Sequence, residues 1–129
     1  MAEQDEGTSG GSINQAIARA VAQGHSRVIG RGPTRVTAFY RHNIVVVVLE
    51  DPLTVSERSL VAAGRMDAVT EMRRQLQATM RAAVEEDVER LTRRAVLAFL
   101  SANHVDPDLA VEVFVLDGPV PADGAAADA

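Results

Sequence analysis

The stretch TRVTAFYRHNIVVVVLE, residues 34–50, decides the fold. Thr34 to Tyr40 is β-branched and aromatic, and Ile44 to Glu50 is nearly all valine, side chains that sit well on a pleated surface. Only Arg41, His42 and Asn43 separate the two runs, so the chain must reverse there and form an antiparallel hairpin. Asp51-Pro52 then stops the second strand, because proline brings no N–H to the ladder.

Upstream of the hairpin, Ser12-Ile13-Asn14-Gln15 reads as a capping box that opens a helix. Ile13, Ile17, Ala20, Val21 and Val28 follow at helical spacing and form one buried stripe. Gly30 and Gly32-Pro33 end it. Downstream, a second capping box, Thr54-Val55-Ser56-Glu57, opens a short helix that Gly64 closes. A long amphipathic helix is predicted from about Met66 to Arg90, with Val69, Met72, Leu76, Met80, Val84, Val88 and Leu91 on its apolar face. Ala95 to Ser101 and Leu109 to Leu116 read as a second hairpin across residues 102–108. The order αββααββ implies an α+β fold: a four-stranded, mainly antiparallel sheet packed with one long and two shorter helices. A single domain spans 12–117, between an acidic tail at 1–11 and an Ala/Pro/Asp tail at 118–129, both read as disordered.

A sheet covered on one face alternates apolar and polar residues. Ile44 to Leu49 does not alternate, and neither does Ala95 to Leu100. Both faces therefore need cover, from helices on both sides or from a second subunit. Three helices are a thin supply for two faces, so a homodimer is expected.

The chain has no cysteine, which removes disulfides, thiolate nucleophiles and thiolate metal sites and suits a reducing cytoplasm. The N-terminus has no apolar core of a secretory signal, and the longest aliphatic run, Ile44 to Leu49, falls far short of the roughly 20 residues of a membrane span. A cytoplasmic protein without direct membrane insertion is expected. All 13 basic residues are arginine, and the net charge of −5 lies in the tails. With Glu3, Asp5, Glu6, Asp123 and Asp128 set aside, acids and arginines balance. From Gly7 to Leu49 there is no acid, only Arg19, Arg27, Arg31, Arg35 and Arg41. These arginines read either as partners for the acidic second half or as a face for an anion or an acidic partner. Nucleic acid is not expected, since a neutral domain with four aromatics offers neither a basic surface nor stacking platforms.

Two segments carry candidate chemistry. Asn103-His104-Val105-Asp106-Pro107-Asp108 sets an imidazole beside two carboxylates, so His104, Asp106 and Asp108 are candidate metal ligands or acid–base groups. The same residues make an ordinary turn, because Pro107 presets φ and aspartate caps its own backbone. Arg31, Gly32 and Arg35, around Pro33, could meet a small anion such as phosphate through guanidinium groups and free amides. That segment lacks the phosphate-loop and dinucleotide patterns, and a helix-to-strand turn explains it equally. His25 and His42 read as surface residues, Glu85, Glu86, Asp87 and Glu89 as a solvated helix face, and Met66, Met72 and Met80 as core filler. No nucleophile stands beside a base, and the residues name neither a catalytic group nor a cofactor.

Gly30-Arg31-Gly32-Pro33-Thr34, the valine strand ending in Leu49-Glu50, Leu53-Thr54 with Glu57-Arg58, and Asn103 to Asp108 before Val111 to Val115 together resemble the MpsC-like family of bacterial domains. The resemblance covers 12–117 in order. It implies association with a Na+-translocating, membrane-potential-generating system, or with membrane complexes for cation or bicarbonate uptake. It supplies no catalytic residues. It marks Pro33, Asn103 and Pro107 as motif positions outside the core. The preferred expectation is a non-enzymatic accessory or regulatory protein, homodimeric, that docks on a membrane-complex partner or senses a small anion. The alternative is a small metal- or anion-dependent enzyme or binding protein built on the Asn103 to Asp108 turn.

Overall fold

The computed structural model describes residues 11–121. The expected tail segments 1–10 and 122–129 lie outside the described residues. Helix α1, Gly11–Ile29, is followed by β1, Arg35–Arg41, and β2, Ile44–Glu50. Then come α2, Val55–Ala62, α3, Met66–Thr92, β3, Val96–His104, and β4, Leu109–Leu116. The αββααββ order and the antiparallel four-stranded sheet are as the sequence predicts. The strands lie in the order β1-β2-β4-β3, every neighbouring pair antiparallel, so the two valine-rich strands are central.

Four local expectations are corrected. Helix α1 already includes Gly11 and takes Ser12 into its first turn, so Ser12 is not the residue that precedes the helix. Chain order also continues beyond 117: Val120 is buried, its N–H donates to the His42 carbonyl at 2.9 Å, and Arg94 Nε donates to the Pro119 carbonyl at 2.7 Å. Strand β3 extends three residues past Ser101, which leaves only residues 105–108 for the turn. Asn103 and His104 pair with Ala110 and Leu109, because backbone partners are available there whatever the side chains prefer. On α3, the buried stripe is Val69, Arg73, Gln77, Met80, Val84, Val88 and Thr92, whereas Met66 and Met72 are exposed.

The core lies between one sheet face and the helices α1 and α3. Ile13, Ile17 and Val21 of α1 and Val84 and Val88 of α3 pack on Ala38, Val45, Val47, Leu49, Ala110, Phe114 and Leu116. Gly24 lets the two helices approach, since a Cβ there would meet Val84 Cγ2 at 3.1 Å. The buried residues of β2 and β4 all share one parity. The opposite parity faces away from both helices. The continuous valine run thus has one half in the core and the other half on a face that the described residues leave open.

Candidate functional site

Strand register lays out the open face row by row. Phe39, Val46, Val113 and Leu100 lie side by side across the four strands. Thr37, Val48, Val111 and Ala102 form the adjacent row, and Arg41, Ile44, Val115 and Ala98 flank them on the other side. The last row is polar apart from Leu109: Arg35, Glu50, Leu109 and His104. Phe39 (48%), Ile44 (42%) and Leu100 (57%) are exposed, values far above those of the buried valines on the other face. Leu97, beside a register shift in β3, is 68% exposed. An apolar centre with charged residues at its rim is the layout of a protein–protein contact.

Both candidate motifs meet at the polar end of the sheet. Gly30, at φ 97°, turns the chain out of α1, and Arg31 reaches back so that Nη1 donates to the carbonyls of Asp51 and Leu53. Gly32 and Pro33 are half-buried in that turn. Thr34 Oγ1 donates to Asp51 Oδ2 at 2.8 Å, and Arg35 Nε donates to Glu50 Oε2 at 2.9 Å. Asp108 joins the corner from the β3–β4 turn. Its carbonyl accepts from Asp51 N–H, Oδ2 accepts from Leu53 N–H at 3.1 Å, and Arg58 Nη2 lies 3.4 Å from Oδ2. Asp108 Oδ1 is buried with no hydrogen-bond partner among the described residues.

The rest of the Asn103 to Asp108 segment points elsewhere. His104 Nδ1 lies 2.8 Å from the Pro107 carbonyl, which can only accept, so this nitrogen carries the proton. Asp106 is exposed, and Asn103 exchanges two hydrogen bonds of 3.2 Å with the side chain of Gln77. Among the described residues no three His, Asp or Glu side chains come together as a metal site. Arg31 and Asp108 are thus brought to one corner, whereas His104 and Asp106 are turned to the surface beside it.

Two buried polar contacts were not anticipated, one an ion pair and the other between an imidazole and a carboxyl group. Arg73, with no exposed area, donates through Nε and Nη2 to the Glu57 carboxylate at 2.7 and 2.6 Å, and Nη2 also donates to the Pro52 carbonyl. Burial alone would raise the Glu57 carboxyl. Hydrogen bonds from Arg73 and from the Thr54 backbone, with the nearby guanidinium charge, outweigh burial and hold it below its usual range. The second pair corrects the expectation that His25 is a surface residue. His25 Nε2 and Glu112 Oε2 are 3.2 Å apart, with side chains 1% and 2% exposed, and His25 Nδ1 and Glu112 Oε1 have no partner. Arg35 pairs with Glu50, but the other arginines of the acid-free first half form no ion pair among the described residues. Most pairing is instead local to the second half, as in Arg81–Glu85 and Arg90–Asp87.

A groove of about 460 Å³ between α1 and α3 is lined by Arg19 and Arg27 of α1 and by Glu86, Asp87 and Arg90 of α3. Its charges are mixed, so it selects neither an anion nor a cation. No helix of the described residues is long and apolar enough to cross a membrane.

Residues 9–118 match the family described as Na+-translocating membrane potential-generating system (MpsC). The chain belongs to the MpsC family. Comparison with curated proteins and with solved structures finds no match. The MpsC match covers the whole sheet and every helix among the described residues, and it includes both the Arg31 corner and the 103–108 segment.

Proposed function

We propose that this MpsC-family chain is a non-enzymatic accessory or regulatory protein of a membrane system that moves Na+ or a related ion, acting from the cytoplasm as a homodimer docked on a membrane-complex partner. One observation carries this reading: a four-stranded sheet whose second face is apolar and left uncovered by the described residues. Apolar surface of that extent on a sheet is a contact surface rather than a reaction centre, since it offers no group to attack or to move a proton. The family name supplies the membrane context, and the lack of a spanning helix among the described residues supports a reading in which ion translocation itself falls to a partner.

A second reading keeps the polar corner as a binding site. The unpartnered Asp108 Oδ1 is an acceptor that a cation could use, with Asp106 on the same turn and His104 at the end of β3 beside it. The guanidinium of Arg31 is bonded to carbonyls rather than to a carboxylate, so its charge remains available to a small anion held with Gly32 and Arg35. Native mass spectrometry of protein equilibrated with divalent metals and with phosphate separates the two readings. The interaction protein carries neither species at stoichiometric level. A stoichiometric metal lost on His104→Ala, or a phosphate lost on Arg31→Ala, overturns the first reading.

A further inference from the structure

We propose that the occupant of the open sheet face is a second copy of this chain, seated face to face as a β-sandwich centred on Val46 and Val113. This deepens the interaction reading above and rests on it. Sheets pack on sheets when both twist alike, with strands of the two layers held within about 30° of each other. A second copy brings the same twist and the same side chains, which is what a self-complementary two-fold contact requires.

The pattern of residues fits that arrangement. The row Phe39–Val46–Val113–Leu100 is apolar from edge to edge, so a two-fold axis through its middle sets apolar side chains on apolar side chains in either strand direction. Charged groups are confined to the rim, at Arg35 and Glu50 on one end, where His104 also lies, and at Arg41 on the edge strand. Arg35 and Glu50 neutralise each other, so copies do not repel there. The mixed rim signs also disfavour an anionic bilayer, which selects a surface ringed mainly by cations.

The area is sufficient. Four strands about 4.8 Å apart and seven residues of about 3.4 Å each give a footprint of about 450 Å². Relief of the side chains raises the accessible surface lost per copy, so two copies bury on the order of 1,000 Å², the lower bound for a specific interface. Phe39 and Leu100, the largest exposed side chains of the central row, are positioned to act as its anchors.

The test uses the full chain. Light scattering after size exclusion should give twice the 13.7 kDa chain mass at tens of micromolar. The double variant Phe39→Arg/Leu100→Arg should weaken association at least about 100-fold while far-UV circular dichroism stays unchanged, because both side chains are exposed in the single copy. The absence of native cysteine permits a second readout. A short bis-maleimide should link Val113→Cys chains to each other and should not link Ser59→Cys chains, whose cysteine lies on α2 rather than on the sheet. A chain that stays monomeric at these concentrations sinks the second-copy proposal. The broader interaction reading is read separately, by co-sedimentation with membranes that contain the ion-moving complex. A dimer that ignores the double arginine variant and cross-links only through position 59 overturns the sheet face as the contact.

Discussion

Arg73 and Glu57 show how a charge can lie in the core of a small domain. The guanidinium donates through Nε and Nη2 to one carboxylate and one carbonyl, while Nη1 is buried without a hydrogen-bond partner among the described residues, so the two charges are paired but one end of the guanidinium is not satisfied. Removing one partner is expected to be severe: Arg73→Met should cost about 3–5 kcal/mol in urea unfolding. The double variant Arg73→Met/Glu57→Leu should lose clearly less than the two single losses added together, because it leaves no orphaned charge. The pair also sets a pH dependence. The folded carboxyl sits below its unfolded value, so its contribution is complete above the ordinary carboxylate range and disappears as pH falls through the depressed folded value. Urea midpoints followed from pH 7 to pH 3 should fall less steeply in Glu57→Gln than in the parent chain. Glu71 gives a contrast. Hydrogen bonds from Arg74 and Gln75 draw its carboxyl down to about 2, yet it lies in solvent, where screening removes most of the benefit. Glu71→Gln should leave the midpoint where it was. Both buried pairs were written in the spacing of the chain. His25 stands four residues after Val21, and Glu112 shares the parity of Ala110 and Phe114. Arg73 and Gln77 continue the stripe begun at Val69. Polarity hid them, since an ionisable side chain on a buried face is predicted outward unless its partner is known. That partner lies far off in sequence, as with the 87 residues between His25 and Glu112.

Among the elements, α2 and the α1–α3 crossing have the clearest local causes. Thr54 Oγ1 accepts from the Glu57 N–H at 3.1 Å while Glu57 Oε1 accepts from the Thr54 N–H at 2.7 Å, the reciprocal cap that the sequence pattern predicts. Thr54→Ala should cost about 1 kcal/mol, measured by urea unfolding. At the crossing, Gly24→Leu should destabilise by about 1–3 kcal/mol, because a side chain pushed against Val84 forces the two helices apart. Gly24→Leu/Val84→Ala should recover part of that loss if this contact is its cause. Boundaries set by such local chemistry were legible, as the cap of α2 and the Gly64 stop demonstrate. The end of β3 was not. Asn103, His104 and Asp106 have turn-forming side chains, and only the presence of Leu109 and Ala110 across the ladder draws Asn103 and His104 into a strand.

For the whole molecule, the valine run of β2 forecast two buried faces, and the structure supplies helical cover for one. The forecast came from the run's lack of alternation, a property of the chain alone. The other face is left open by the described residues, and the run's lack of alternation carries no trace of what would cover it. Central position should also show in hydrogen exchange, where the amides of Val46 to Val48 and Val111 to Val113 are expected to be slowest and those of β1 and β3 faster.

The strand order has a consequence for synthesis. Val47 must pair with Glu112, so the central ladder joins segments that leave the ribosome far apart in time. Until β4 emerges, β2 can pair only with β1, and its other edge presents unpaired amides within a run of aliphatic side chains. Long-range pairing of this kind closes slowly and exposes the nascent chain to mispairing with its neighbours. The growing polypeptide is therefore most vulnerable while α2, α3 and β3 are being made, and the appearance of the last strand ends that interval.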